Sequence, residues 1–201
     1  MEGHAQVPTS RLQAQMTFLL AADGLKNVKR TCIISLGNRV ENSAEHSWHV
    51  ALMAMVLAEH CPEPIEISRV IELLLIHDLV EVYAGDTLIY DDEAIKDQAL
   101  REQTAAEKLF GMLPRDQRKR IESLWEEFES RSTPEARYAK AIDSIAPTWL
   151  HLGEHATPPA EKLTVGMILE RKRKILEAYP VLMTMLEEIL ESAVKRGLIL
   201  A

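Results

Sequence analysis

The 201-residue sequence is poor in aromatic residues, in cysteine and in long apolar runs. Aromatic residues make up 5% of the chain, and only two cysteines occur, Cys32 and Cys61, so a disulfide framework is not expected. The longest apolar stretch, near residues 50–58, is far shorter than the roughly 20 residues of a membrane span. The first residues lack the basic and then apolar layout of a signal peptide. These absences predict a soluble, cytoplasmic protein with no membrane partner.

The chain also lacks an excess of basic residues. It carries 31 acidic and 23 basic residues, which give a formal charge of −8 and argue against binding to a nucleic acid polymer. Hydrophobic residues make up 47% of the chain, a fraction typical of globular proteins and too high for a disordered one. Length and composition together predict one domain over residues 1–201.

Helix-forming residues are abundant, and no segment alternates like a strand, so the sequence predicts an all-α domain of about eight helices. We expect a core over residues 11–152 with C-terminal helices over 162–197 packed onto it. Asn42 with Glu45 forms a capping box, Thr133 is a good N-cap and Gly85 a stop signal. The segment 23–41 is expected to be irregular and 155–160 to be a loop. The predicted helices span about 11–22, 42–60, 68–83, 92–112, 114–129, 134–152, 162–178 and 180–196.

Polar residues interrupt the apolar stripes of three predicted helices. His46 shares an apolar face of the second helix, His77 and Asp78 follow the apolar run 73–76, and Asp143 lies on the stripe of the helix over 134–152. A buried carboxylate without a partner is costly. Two histidines and two aspartates could satisfy one another by binding one divalent metal ion.

Each of these residues has a plainer interpretation when taken alone. A single histidine such as His46 is commonly a core-edge residue with one hydrogen bond, and Asp143 could be a buried ion-pair partner. The dipeptide His77-Asp78 also occurs often by chance. Only the combination favours a metal site, and the spacing alone leaves the choice open.

Four short stretches carry a resemblance to a known family. They are ENSAEHS at Glu41–Ser47, LIHDLVE at Leu75–Glu81, AGD at Ala84–Asp86 and KAID at Lys140–Asp143. Together they resemble the H…HD…D signature of the HD-domain metal-dependent phosphohydrolases, and among these the small helical 5′-nucleotidases of bacteria and eukaryotes. The resemblance covers about residues 11–149. It implies a compact helical HD domain with the metal site between helices.

The resemblance implies that one divalent metal ion is bound by His46, His77, Asp78 and Asp143. Mixed nitrogen and oxygen ligands suit Mn²⁺, Co²⁺, Fe²⁺, Ni²⁺, Zn²⁺ or Mg²⁺, so the identity of the metal stays open. Glu81 follows His77 by four residues, which places both on one face of the predicted helix.

In the family, the glutamate that matches Glu81 is taken to activate water, and the residue that matches Asp86 to contribute to the site. Without the family, Glu81 would be an exposed helix residue, and Asp86 a turn residue after Gly85.

Three further residues are candidates for substrate binding. Arg30 lies in the segment where the family places an arginine, and a guanidinium can bind phosphate oxygens in a bidentate manner. Thr31 follows it, where bacterial members have a tryptophan that is taken to sense the missing 2′-hydroxyl, so the sugar specificity stays open. Lys140 is another cationic candidate, with a surface role as its plainer interpretation.

The resemblance implies a divalent-metal-dependent phosphohydrolase that removes phosphate from nucleoside 5′-monophosphates, with a small nucleotide as substrate and 2′-deoxynucleotides included. The alternatives are an HD-type phosphodiesterase or pyrophosphohydrolase acting on another nucleotide, and a non-catalytic metal- or nucleotide-binding module. A homodimer is expected because members of the family form them. The apolar C-terminal segment 181–190 would be either dimer surface or core.

Overall fold

The computed structural model describes residues 9–34, 39–152 and 163–201. Helices dominate these residues, which confirms the predicted all-α class, and a small two-stranded sheet accompanies them. Among the described helices, none has the length and apolarity needed to cross a bilayer. The predicted loop at 155–160 and the start of the predicted helix at 162 lie outside the described residues. The elements are α1 Thr9–Ala22, β1 Lys29–Ile33, β2 Val40–Asn42, α2 Ser43–Val56, α3 Ile67–Ile76, α4 Glu81–Ala84, α5 Asp92–Ile95, α6 Gln98–Phe110, α7 Arg115–Ser130, α8 Pro134–Leu152, α9 Val165–Leu176 and α10 Pro180–Lys195.

The predicted helix ends are confirmed where the sequence carries capping residues. The Asn42 side chain accepts the backbone N–H of Glu45 at 3.0 Å, and the Glu45 carboxylate accepts that of Asn42 at 3.1 Å, which closes the capping box of α2. Thr133 Oγ1 accepts the backbone N–H of Ala136 at 3.1 Å at the start of α8. Gly85 ends α4 with a φ of 76°, a left-handed conformation that glycine adopts without steric strain.

Helix α8 is the central element, against which α2, α3, α7, α9 and α10 pack. Tyr138, Ala139 and Ile142 are fully buried on it, and the Tyr138 hydroxyl donates to the carbonyl of Ala54 at 3.1 Å. Most of the circumference of α8 is therefore apolar and covered. A charged residue in the middle of such a helix is buried with its neighbours, and Asp143 is such a residue.

The C-terminal helix completes this core. Leu182, Leu186 and Leu190 on α10 are buried, so the apolar C-terminal segment packs inward. Gly197 follows α10 with a φ of 70°. The division into a core over residues 11–152 with added C-terminal helices, and the single-domain organisation over 1–201, stay predictions.

The helix predicted over residues 68–83 is divided in the structure, and the break lies at the HD pair. Helix α3 ends at Ile76, and α4 begins at Glu81. The His77 ring donates through Nδ1 to the carbonyl of Leu74 at 2.8 Å. In a continuous helix this carbonyl would accept the backbone N–H of Asp78. The chain instead turns tightly over residues 77–80, through backbone bonds from Leu79 and Glu81 to residues three positions earlier.

The helix predicted over 92–112 is divided in the same manner into α5 and α6. Arg101 Nη2 donates to the carbonyl of Ala94 at 3.0 Å, and this carbonyl would otherwise accept the backbone N–H of Gln98. At both breaks a side-chain donor occupies the carbonyl that the helix needs to continue. Periodicity of apolar residues does not report such a contact.

The segment predicted to be irregular contains a hairpin, which is a correction. Strand β1 pairs antiparallel with β2, with Lys29 opposite Asn42 and Ile33 opposite Val40. Strands of five and three residues are too short to show a clear alternation in the sequence. The hairpin places Arg30 of β1 beside Glu41 of β2, directly before α2 begins.

Candidate metal centre and active site

The four predicted metal ligands lie together where α2, α8 and the turn after α3 meet. His46 Nε2 is 2.9 Å from Asp143 Oδ1, and His77 Nε2 is 3.6 Å from the same oxygen. Asp78 Oδ1 lies 3.0 Å from His77 Nε2. One donor atom each of His46, His77 and Asp143 can be chosen so that all lie within 4.8 Å of one another. With metal–ligand bonds of about 2.0–2.3 Å, one ion can bridge atoms at such a spacing.

The ring of His77 is oriented to offer a lone pair to a cation. Because the carbonyl of Leu74 can only accept, the Nδ1 atom that contacts it carries the hydrogen. In the neutral ring Nε2 therefore holds the lone pair, and this buried atom has no hydrogen-bond partner among the described residues. A backbone carbonyl on the second ring nitrogen is typical of histidines that bind metals. The residues present thus fit a divalent cation.

The electrostatics of the site also favour a positive charge between the two aspartates. Burial opposes the charged form of His77, yet Asp78 and Asp143 raise its pKa to about 10. Burial opposes the charged forms of these carboxylates too, but His77 and Arg30 hold the pKa of Asp78 below its ordinary range. Lys140 and the two histidines likewise hold the pKa of Asp143 below its ordinary range. A metal ion supplies the positive charge that this environment stabilises.

Arg30 projects from β1 into a group of carboxylates. Its Nη1 lies 2.9 Å from Asp78 Oδ2, 3.3 Å from Asp86 Oδ1 and 3.9 Å from Glu81 Oε1, and its side chain is 12% exposed. Burial opposes its charge, but these carboxylates raise the pKa of Arg30 above its ordinary value. The guanidinium is therefore a permanent cation directly beside a predicted metal ligand.

Glu81 lies at the start of α4 and is 8% exposed, so the structure does not place it on the surface. Ser43, the first residue of α2, donates its hydroxyl to Glu81 Oε2 at 2.6 Å. Burial first, and then the negative charge of Asp78, raise the pKa of Glu81 to about 9. A carboxyl group with a raised pKa beside the ligand set has the properties of a proton-transfer residue.

Asp86 follows the Gly85 turn and reaches the same group of charges. Burial and then the neighbouring carboxylates raise its pKa, although Arg30 opposes this effect. The chain on both sides of Asp86 is held by Arg101, which donates to the carbonyl of Ala84 at 2.7 Å and to Thr87 Oγ1 at 3.0 Å. The loop that carries Asp86 is thus fixed from α6.

The two remaining predicted site residues also reach the site. Lys140 donates to Asp143 Oδ2 at 2.8 Å, and its Nζ lies 5.2 Å from the centre of the Phe128 ring. Thr31 is exposed on β1 and its carbonyl accepts from His151 Nε2 at 2.9 Å. Lys140 therefore contacts a ligand side chain, whereas Thr31 lies at the edge of the cavity.

A cavity of about 610 Å³ opens beside these residues. Its lining combines the charged group with apolar side chains from α5, α7 and α9, among them Ile95, Phe128 and Ile168. Such a volume lies within the range of small-molecule sites. The site therefore has room for a ligand larger than a phosphate ion.

Three residues that touch the site are absent from the predicted set. They are Glu41 on β2, Ser43 at the start of α2, and Lys172 on α9, whose Nζ donates to the carbonyl of Ser144. Burial lowers the pKa of Lys172 to about 8. The only sequence signal for the first two was their presence in the motif stretch 41–47, and Lys172 had none.

A mainly helical fold that brings two histidines and two aspartates together in its interior has the features of a helical metal-binding domain. The particular family follows from comparison with known proteins. The HD domain model matches residues 22–183, which is most of the chain, so this chain belongs to the HD domain family.

Two curated relatives are similar over about two thirds of this chain. The human protein named 5′-deoxynucleotidase HDDC2 is 33% identical over 129 residues, which cover 64% of this chain and 62% of the human protein. The Schizosaccharomyces pombe protein named 5′-deoxynucleotidase hdd1 is 28% identical over 134 residues, covering 64% of this chain and 66% of that protein. The match thus spans less than two thirds of the human relative.

Solved structures extend the similarity over nearly the whole chain. A protein of Magnetospirillum magnetotacticum MS-1, named a predicted metal-dependent phosphohydrolase, is 39% identical with a TM-score of 0.88, covering 98% of this chain and 100% of its own. An HD-domain phosphohydrolase of Listeria innocua has a TM-score of 0.65 at 18% identity, covering 90% of each chain, and shares the fold.

Proposed function

We propose that this protein is a divalent-metal-dependent phosphohydrolase that removes phosphate from nucleoside 5′-monophosphates, 2′-deoxynucleotides included. The observation that carries the proposal is the convergence of His77, Asp78 and Asp143 with Arg30 and Glu81 on one cavity. The fourth ligand candidate, His46, is fully buried and contacts Asp143. Relatives named 5′-deoxynucleotidase and a similar structure named a metal-dependent phosphohydrolase support the same chemistry.

The four converging side chains would hold one divalent ion. Two imidazole nitrogens and two carboxylates form a donor set that suits Mn²⁺, Co²⁺, Fe²⁺, Ni²⁺, Zn²⁺ or Mg²⁺. Such an ion, when bound, neutralises charge on a phosphate and lowers the pKa of its water. The ligands are His46, His77, Asp78 and Asp143.

Arg30 would bind the phosphate of the substrate. Its guanidinium presents several N–H groups in one plane, which match two phosphate oxygens at once. In the structure these groups contact Asp78 and Asp86, so an incoming phosphate takes over contacts that carboxylates make in its absence. Lys140 lies on the other side of Asp143 and would add positive charge to the same region.

Glu81 would accept the proton of the attacking water. Ser43 occupies its Oε2, which leaves Oε1 as the atom that faces Arg30 at 3.9 Å. Burial raises the pKa of Glu81 most, and the negative charge of Asp78 raises it further. Compensation of that charge would lower the pKa and so favour the carboxylate that a base requires. Asp86 would hold Arg30 or the water in place from the opposite side.

The size of the cavity supports a mononucleotide as substrate. A volume of about 610 Å³ accommodates a nucleoside beside its phosphate, and the apolar lining from three helices suits a base. Thr31 lies at the edge of this cavity without an aromatic ring to stack on the sugar or base. The sugar specificity therefore stays open, and both ribonucleotides and 2′-deoxynucleotides belong in the substrate panel.

The proposal is tested by phosphate release from a panel of nucleoside 5′-monophosphates in the presence of Mn²⁺, Co²⁺ or Mg²⁺. We expect release by the wild type and its loss in both Glu81→Ala and Asp143→Ala. Glu45→Gln is the matched control, because Glu45 pairs with Arg39 on the surface. Hydrolysis of cyclic or polyphosphate nucleotides only would indicate a phosphodiesterase or pyrophosphohydrolase. Metal binding without hydrolysis would indicate a binding module.

We also propose that the protein acts in the cytoplasm as a homodimer. Trp48, Leu52 and Met55 lie on one face of α2 and are 63%, 42% and 54% exposed, which supports a second copy as the partner of this face. The free thiols of Cys32 and Cys61 are compatible with a reducing compartment. The molar mass by light scattering, with Leu52→Lys as the variant, tests the dimer, and a monomeric wild type would refute it.

A further inference from the structure

Glu41 is a buried acidic residue whose position the ligand set does not explain. Its side chain is 3% exposed, and Oε2 has no hydrogen-bond partner among the described residues. The same oxygen lies 3.4 Å from His46 Nδ1 and 3.8 Å from Arg30 Nε. These two nitrogens are themselves buried and lack a hydrogen-bond partner. Three buried polar atoms thus face one another at the edge of the metal centre.

The orientation of His46 shows why its Nδ1 needs an acceptor. Its Nε2 faces Asp143 at 2.9 Å and Asp78 at 4.0 Å, so Nε2 is the atom directed into the centre. If Nε2 binds a cation through its lone pair, the hydrogen of the neutral ring must lie on Nδ1. In His77 the corresponding Nδ1 hydrogen is donated to the carbonyl of Leu74. For His46 a carboxylate oxygen, Glu41 Oε2, lies 3.4 Å from Nδ1.

We propose that Glu41 is a positioning residue, whose carboxylate accepts the hydrogen of His46 Nδ1 and so presents Nε2 to the metal ion. This inference rests on the proposed function of the centre. A carboxylate behind a metal-bound histidine fixes the orientation of the ring and increases the basicity of the ligand nitrogen.

A simpler role for Glu41, to balance the charge of Arg30, does not fit the distances. Arg30 already faces Asp78 at 2.9 Å and Asp86 at 3.3 Å, both closer than Glu41 at 3.8 Å. The other two carboxylates near His46, those of Asp78 and Asp143, approach it at Nε2 and not at Nδ1. The neighbouring backbone is also fixed, because Ser43 donates its N–H to the carbonyl of Val28 at 3.0 Å.

The test measures Mn²⁺ affinity by calorimetry on chelator-treated wild type and variants. We expect Glu41→Leu, which removes the acceptor, to weaken Mn²⁺ binding about 10- to 100-fold. In Glu41→Gln the amide oxygen can still accept, so part of the affinity should return. Glu45→Gln is the control, four residues along the chain. Its amide oxygen can still accept the N–H of Asn42 in the α2 cap, and the lost ion pair with Arg39 is at the surface, so the affinity should change by less than about twofold. Folded Glu41 variants with wild-type affinity would overturn the inference.

A second measurement covers the case in which Glu41→Leu does not fold. In the Zn²⁺-loaded wild type with ¹⁵N-labelled histidine, the Nδ1 hydrogen of His46 should give a downfield, slowly exchanging NMR signal. A signal at the ordinary position in fast exchange with water would also overturn the inference. A wild type that binds no metal would instead refute the metal centre itself, so the two failures are distinguishable.

Discussion

Replacement of Glu81 by glutamine should separate activity from stability. The variant keeps the size of the side chain, and its amide oxygen can still accept the hydroxyl of Ser43, which lies 2.6 Å from Glu81 Oε2. It loses the carboxylate that we assign to proton transfer, and removal of such a group lowers the rate by about 100- to 10,000-fold. Above neutral pH, the metal-free variant should also be more stable than the metal-free wild type.

The expected stabilisation follows from the protonation of Glu81 in the folded and unfolded states. Burial and Asp78 raise its pKa from an ordinary value of 4.5 to about 9 in the folded protein. The folded state therefore holds this proton more tightly than the unfolded chain. Its contribution to stability is complete below pH 4.5 and is lost as the pH rises towards 9. The free energy of unfolding can fall by about 1.4 kcal/mol for each pH unit in this range. Glu81→Gln does not lose this stability, because glutamine does not titrate.

The assay is urea unfolding of chelator-treated wild type and Glu81→Gln at several pH values. We compare the free energy of unfolding of the variant with that of the wild type at each pH. From about pH 5 to 8, the variant should gain more than about 1 and at most about 4 kcal/mol relative to the wild type. Glu45→Gln, which alters an exposed ion pair with Arg39, should show no such trend. A difference between wild type and Glu81→Gln that is the same at both ends of this range would refute the reasoning.

Three further predictions concern the phosphate site and the local structure around it. Arg30→Lys should raise the KM for a nucleoside monophosphate about tenfold in steady-state kinetics, because an ammonium cannot bind two oxygens in one plane; an unchanged KM would exclude Arg30 from phosphate binding. Thr133→Ala should lower the free energy of unfolding by about 1 kcal/mol through loss of the α8 cap, whereas Ser132→Ala should not, and equal effects would contradict the cap. Gly85→Ala should cost about 1–2 kcal/mol in the same measurement because its φ of 76° strains a Cβ; a neutral result would argue against this conformation.

The parts of the fold that the sequence predicts are those with local signals. Apolar periodicity indicates the helices, and the side chains of Asn42 and Thr133 define where two of them begin. Polar residues on apolar stripes indicate His46 and Asp143, because a buried polar group needs a partner wherever the helices meet. Each of these signals is carried by residues close together in the sequence, so it can be recognised without knowledge of the tertiary structure.

The parts that the sequence does not predict depend on contacts between distant residues. The breaks at the HD pair and before α6 arise from side-chain donors that take helix carbonyls. The hairpin that pairs Arg30 with Glu41 is too short for an alternating pattern. Lys172 meets the carbonyl of Ser144, 28 positions away in the chain, and only the packing of α9 on α8 brings them together.

The structure also supports the proposal that an acidic chain binds a phosphate ester. The formal charge of −8 repels polyanions at long range, but a site is governed by the charges within a few ångströms. Here Arg30 and Lys140 each lie within 3 Å of a carboxylate of the ligand set. Those same carboxylates would bind the metal ion, and a bound ion would weaken the attraction between each carboxylate and its cation. In the proposed function, the negative charge of these carboxylates would thus keep Arg30 and Lys140 in place until the metal ion and the substrate bind.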